Sequence, residues 1–166
     1  MAVTFSILVT DNISGSGLQP LREDSQFELV EINDSSSTDF RNALTSADGL
    51  IVRSATKVDS DMLAEAQSLK VIGRAGVGVD NIDLDAATER GIAVLNAPAG
   101  NTVSAAELTL ALMLSVVRRV PGADASVRRG EWDRGRFKGA ELRGRTLGLV
   151  GAGRVGQEVA QRCRAF

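Results

Sequence analysis

The 166-residue sequence contains no histidine. A reaction that needs imidazole as its acid or base therefore cannot be completed by these residues alone. Cysteine is nearly as scarce. Cys163 is the one thiol, so no intramolecular disulfide forms, a reducing compartment suits the chain, and the residue reads as a small, unreactive apolar side chain. Long hydrophobic runs are missing as well. The most apolar stretch, Val103 to Val117, is interrupted by Glu107, Thr109 and Ser115 and is too short to span a bilayer. The N-terminal MAVTFSILVTD has no basic region and meets an aspartate too early for a secretory signal. A cytoplasmic protein with no membrane partner is the expectation, and no metal is expected.

Net charge is small, −2, but it is unevenly spread. Residues 1–117 carry seven Lys/Arg against sixteen Asp/Glu, and residues 118–166 carry twelve against five. That break suggests two parts with different jobs. The basic stretch holds Arg128, Arg129, Arg134, Arg136, Lys138, Arg143 and Arg145. Its stacking residues are only Trp132 and Phe137, and Glu131, Asp133 and Glu141 are interleaved, so a solvated or inter-subunit face is expected rather than a nucleic-acid site.

Short apolar runs alternate with helical patterns. Strands are predicted at Thr4–Val9, Phe27–Ile32, Gly49–Arg53, Leu69–Ile72 and Ile92–Leu95, and helices near Gly17–Glu23, Thr38–Thr45, Ser60–Ala66 and Leu84–Arg90. Asp59 and Ser60 precede the third helix and Asp83 the fourth, as N-caps should. The runs are apolar throughout rather than alternating, which suits parallel strands covered on both faces. An open, flavodoxin-like α/β sheet follows. After the turn-rich Asn96–Gly100 a long helix is predicted from Asn101 to Arg119, apolar on nearly every face and hence buried between domains or against another subunit, with Pro121-Gly122 ending it. The stretch Arg128 to Arg145 reads as loops and a short helix, Thr146–Val150 as a strand, and Gly153 onward as a helix.

Three features carry chemistry. Gly151-Ala152-Gly153-Arg154-Val155-Gly156 follows an apolar strand pattern and opens a helical one, the context that a dinucleotide fingerprint requires. Gly151 would permit the tight turn, Gly153 the approach of a pyrophosphate, and Gly156 close helix packing; a ligand-free glycine turn is the alternative. A second glycine loop, Gly73-Arg74-Ala75-Gly76-Val77-Gly78, follows the fourth strand, where successive amides form an anion-binding concavity or merely a tight turn. Arg53 closes the third strand on the same rim; its guanidinium either grips a carboxylate or phosphate or is a solvated charge.

Four segments together, GLIVRSATKV (49–58), GRAGVGVDNIDLDAATERGI (73–92), NAPAGNTVSAAELTLALML (96–114) and LRGRTLGLVGAGRVGQEVA (142–160), resemble the D-isomer-specific 2-hydroxyacid dehydrogenases. The resemblance implies a flavodoxin-like substrate domain over 1–98, followed at 99–166 by the incomplete start of a Rossmann NAD-binding domain. It implies that Arg53, Gly76, Val77, Gly78 and Asn101 line the substrate side. Gly151, Gly153, Arg154, Val155 and Gly156 would contact NAD. The implied reaction is hydride transfer between C2 of a small phosphorylated 2-hydroxy acid and nicotinamide. The RSATKV segment points to oxidation of 3-phosphoglycerate to 3-phosphohydroxypyruvate, the opening of serine biosynthesis. Glyoxylate or hydroxypyruvate reduction, a non-catalytic NAD-sensing protein of the same fold, and a stand-alone module that binds small acids are the alternatives. The family's catalytic arginine, glutamate and histidine are expected beyond residue 166, which makes this chain a truncated, inactive portion. Its first part should fold, its last third should be poorly ordered or self-associating, and a homo-dimer or higher oligomer should form through the 101–119 helix.

Overall fold

The structure, a computed structural model, describes residues 4–166; Met1, Ala2 and Val3, part of the N-terminal stretch read above, lie outside the described residues. The chain divides into two compact units, 1–100 and 101–166.

The first unit alternates strand and helix: β1 (Phe5–Val9), α1 (Gly15–Glu23), β2 (Phe27–Glu31), α2 (Thr38–Ser46), β3 (Gly49–Val52), α3 (Ser60–Glu65), β4 (Val71–Arg74), α4 (Leu84–Glu89) and β5 (Ala93–Asn96). Each expected element before residue 97 forms, with ends displaced by at most two residues. All strands pair in parallel, in the order β2-β1-β3-β4-β5, which is the flavodoxin-like order. Three of these helices, α2, α3 and α4, start where short polar side chains satisfy their first amides. Ser37 accepts from the Phe40 amide at 3.2 Å, Asp59 from Met62 at 3.1 Å and Asp83 from Ala86 at 3.0 Å.

Strand side chains alternate between faces, so β1 serves two cores. Leu8 points to one, with Leu50, Val52 and Ile72 beneath Phe40, Leu44, Leu63 and Ala87 of α2, α3 and α4. Ile7 and Val9 point to the other, under Leu18 of α1. The sheet register carries this second face from Val9 through Ile51 and Gly73 to Leu95. Cover thins along it: Val9 is buried, Ile51 half-buried, and Leu95 62% exposed.

The second unit contains α5 (Thr102–Val117), α6 (Val120–Arg128) and α7 (Arg154–Cys163), and here three expectations fail. Pro121 does not end the long helix. Arg119, in the left-handed region at φ 55°, separates α5 from α6, and Pro121 sits in the first turn of α6. There its missing N–H removes no helical hydrogen bond. The short helix expected within 128–145 is absent, because α6 ends at Arg128 and Gly130, at φ 80°, turns the chain away. The strand expected at Thr146–Val150 does not form; Leu147 and Leu149 are exposed and Val150 fully so. A parallel strand exists only against a neighbour, and every strand of this chain's described residues belongs to the first unit. Of α5 only Ala106 is buried, and Leu108, Leu112 and Val116 are 60%, 57% and 73% exposed. The basic stretch lies on the surface of this chain. Its arginines are exposed, and Arg128 and Arg129 pair with Asp124 and Glu131 at 2.8 and 2.9 Å.

Candidate functional site

In a doubly wound sheet, ligands sit at the carboxyl ends of the strands. On that rim β1 runs into Asp11 and Asn12, both left-handed at φ 62° and 50°. Asp and Asn tolerate this conformation better than other non-glycine residues. The Asn12 amide donates to Asn33 Oδ1 at 2.8 Å and helps to hold the turn. So placed, the Asp11 carboxylate reaches the segment after β3. Its Oδ2 accepts from the Arg53 amide at 2.7 Å and the Thr56 amide at 3.1 Å, and its Oδ1 accepts from the Thr56 hydroxyl at 2.6 Å. Desolvation pushes the Asp11 pKa up. The hydrogen bonds from Thr56, Arg53 and Ala55 together outweigh it and hold the carboxyl below the ordinary carboxylate range.

The other neighbour contributes Asn81, whose Nδ2 donates to the carbonyls of Arg53 and Thr56, both at 2.7 Å. Residues 53–56 are therefore held from both sides by side chains belonging to other strand ends. The Arg53 side chain itself is exposed and has no ion-pair or hydrogen-bond partner among the described residues.

β4 delivers the second glycine loop. The Ala75 amide donates to the Val52 carbonyl at 2.8 Å and the Gly76 amide to the Arg74 carbonyl at 2.7 Å, which folds the chain tightly at the strand end. The Gly76 carbonyl accepts from the Ala97 amide at 2.9 Å, and the Val77 carbonyl accepts from Asn96 Nδ2 at 2.6 Å. The carbonyls are thus committed, while the amides of Val77 and Gly78 make no hydrogen bond among the described residues. Because β3 and β4 pair Val52 with Arg74, Arg53 and the 76–78 loop are brought to the same rim.

In the second unit the 151–156 turn has its own logic. Gly151 lies at φ 95°, where a side chain is strained. A Cβ at Gly156 would meet the Gly151 carbonyl oxygen at 2.5 Å, so glycine there is required by the fold of the turn. Gly153 is different. It is the N-cap of α7 in extended conformation, and a Cβ on it would meet nothing within 4 Å. The first turn of α7, which includes Arg154 and Val155, carries no acid that would answer its positive end. Asn101 stands at the N-cap of α5 and makes no side-chain cap.

Sequence reading missed Asp11, Thr56 and Asn81. The polar pair Asp11-Asn12 directly after an apolar strand was the available signal. A cavity of about 470 Å³ lies between α2 and α3, but its cations are already engaged, Arg41 with Glu65 at 3.0 Å and Lys57 with Asp59 at 3.8 Å. A larger, open hollow of about 690 Å³ starts at Gly78 on the rim and is lined by Asp80, Asp83 and Asp85.

The first unit is thus a parallel α/β sheet with an exposed arginine and open amides at its strand ends, and the second holds a glycine turn that opens a helix. The family of D-isomer specific 2-hydroxyacid dehydrogenases, catalytic domain, matches residues 7–166. The chain belongs to that family. It is 52% identical over 162 residues to D-3-phosphoglycerate dehydrogenase of Bacillus subtilis, covering 98% of this chain and 30% of that enzyme. A crystal structure from Thermus thermophilus superposes with a TM-score of 0.85 at 40% identity, over 97% of this chain and 53% of the other. D-lactate dehydrogenase of Aquifex aeolicus, solved with NAD and lactic acid, superposes at 0.82 with 29% identity, over 96% and 48%. The chain thus spans about 30% of the length of the curated relatives it matches. Among the described residues no helix is long and apolar enough to cross a membrane.

Proposed function

We propose that these residues are the substrate-binding part, and the opening of the dinucleotide-binding part, of an NAD-dependent D-3-phosphoglycerate dehydrogenase. Its reaction is the cytoplasmic oxidation of 3-phosphoglycerate to 3-phosphohydroxypyruvate, which begins serine biosynthesis. The observation that carries this reading is the 52% identity to an enzyme of that name across nearly the whole chain.

Each side chain has a role in this reading. Arg53 offers two parallel N–H donors to a phosphate or carboxylate, a geometry that lysine does not provide. The uncommitted amides of Val77 and Gly78 receive the same anion, and Asn101, whose side chain caps no amide, contacts the substrate. Gly151, Gly153, Arg154, Val155 and Gly156 hold the pyrophosphate of NAD. They fit it, because the strained Gly151 and the packed Gly156 shape the turn, and the open space at Gly153 leaves room for a phosphate against the helix start. NAD, when bound, supplies the hydride acceptor at its nicotinamide. With no histidine in the sequence, the proton on the substrate hydroxyl finds no imidazole among these residues, so the 166 residues alone bind ligands without turning them over. The exposed Leu108, Leu112 and Val116 of α5 are covered by a second copy.

The test is substrate preference in a chain of the relatives' full length. A phosphate bound by Arg53 should raise kcat/KM for 3-phosphohydroxypyruvate over glyoxylate by about 10-fold or more, the effect of one charge-assisted contact. A preference for glyoxylate would make the protein a reductase of that kind instead. Binding of NAD with no turnover of either acid would make it a nucleotide sensor.

A further inference from the structure

We propose that Asp11 and Asn81 are positioning residues that aim Arg53, an inference that rests on the reading of Arg53 as the anion-binding group. Nothing holds the Arg53 guanidinium itself, since its side chain is exposed and has no partner among the described residues. Its direction is therefore set by its backbone, and both of its peptide groups are fixed by side chains. Asp11 takes the N–H at 2.7 Å, and Asn81 gives to the carbonyl at 2.7 Å. The same two residues hold Thr56, Asp11 through its amide and hydroxyl and Asn81 through its carbonyl. The segment between is a short span anchored at both ends by the same two side chains.

The local conformation supports an active role for the carboxylate. Asp11 and Asn12 are consecutive left-handed residues, a conformation that glycine would adopt without strain. An aspartate there brings three acceptor bonds that a glycine could not. Its charge stands beside a site meant for anions, where an uncommitted carboxylate would repel the ligand. The committed one spreads that charge over the donors of Arg53 and Thr56. Electrostatics and positioning therefore make opposite forecasts for Asp11→Asn. Removal of a negative charge alone should tighten binding of an anion, whereas loss of the anchor should weaken it. In the Asp11→Asn protein the bonds to the Arg53 and Thr56 amides lose their charge assistance and the Thr56 hydroxyl must turn to accept from the new amide, so the anchor is loosened as the charge is removed.

The experiment is titration calorimetry of 3-phosphoglycerate with the full chain, with melting temperature recorded for each variant. Arg53→Ala should weaken binding by about 10- to 100-fold, the loss of one charge-assisted contact. Asp11→Asn and Asn81→Ala should each weaken it by about three- to tenfold, as misplacement of a binding group does. In an Arg53→Ala background neither should weaken it further, because residues that act through one group are not additive. Equal or tighter binding by Asp11→Asn overturns the inference, as does a full further loss in the Arg53→Ala background, which would mark a general effect on the fold. An Arg53→Ala protein with unchanged affinity removes the anion-site reading and this inference together. That result is told apart from the others because there the Arg53 effect itself is missing. If Asp11→Asn is unfolded at the titration temperature, Asn81→Ala decides the question from the other side of the clamp.

Discussion

Purified as these 166 residues, the protein is expected to oxidise NADH with 3-phosphohydroxypyruvate at least about 100-fold more slowly than a full-length relative. General acid–base help contributes about 10² to 10⁴ in rate, and histidine supplies it most often. This sequence has none. The rim carboxylate Asp11 is held ionised by its hydrogen bonds against the opposing pull of desolvation, so it is poorly placed to donate a proton near neutral pH. The measurement is the decline of NADH absorbance at high protein concentration. Turnover within tenfold of the relative would mean that another group among these residues carries the proton.

The glycine turn yields the second large effect. In a chain of the relatives' full length, Gly153→Ser is expected to lower NAD affinity by about 100-fold, as loss of one or two charge-assisted contacts to a pyrophosphate would. The helix should be unharmed or slightly steadier. Gly153 is the N-cap of α7, extended, with no atom within 4 Å of an added Cβ, and serine is a preferred N-cap residue. The fold makes no demand for glycine at that position, so a loss of affinity in Gly153→Ser would report on what approaches the turn. Gly156→Ala should behave the other way and damage the turn itself, since its Cβ would press on the Gly151 carbonyl oxygen at 2.5 Å. Nucleotide fluorescence quenching with parallel melting curves separates the two. A Gly153→Ser protein that binds NAD normally would leave that glycine without a ligand to explain it.

The first hundred residues were legible because local pattern and tertiary pairing agree there. Apolar runs such as Leu50-Ile51-Val52 become buried parallel strands, and Asp59 and Asp83 cap helices as their positions promise. The last third was less legible for a physical reason. Leu147-Gly148-Leu149-Val150 has the composition of a strand, but composition supplies no hydrogen-bonding neighbour, and the segment stays irregular and exposed. The all-round apolar α5 was readable as a helix, and its exposed Leu108, Leu112 and Val116 mark cover that the described residues do not provide. Pro121 was misread as a stop because proline is equally at home in the first turn of a new helix. At the rim, Arg53 and the glycine loop stood out by residue type. Asp11 and Asn81 did not, because their part is played through hydrogen bonds to backbone groups 42 and 28 residues away in sequence. Only the parallel register brings them together.

The most direct test is an amide-resolved NMR titration of this chain with 3-phosphoglycerate. Saturable shifts are expected at the Arg53 side-chain Nε–H and at the amides of Val77 and Gly78, with Thr56 and Asn81 following as the anchored segment responds. Shifts that instead centre on the cavity lined by Arg41, Lys57, Asp59 and Met62, or shifts that never saturate, would contradict a substrate site at the carboxyl ends of β3 and β4.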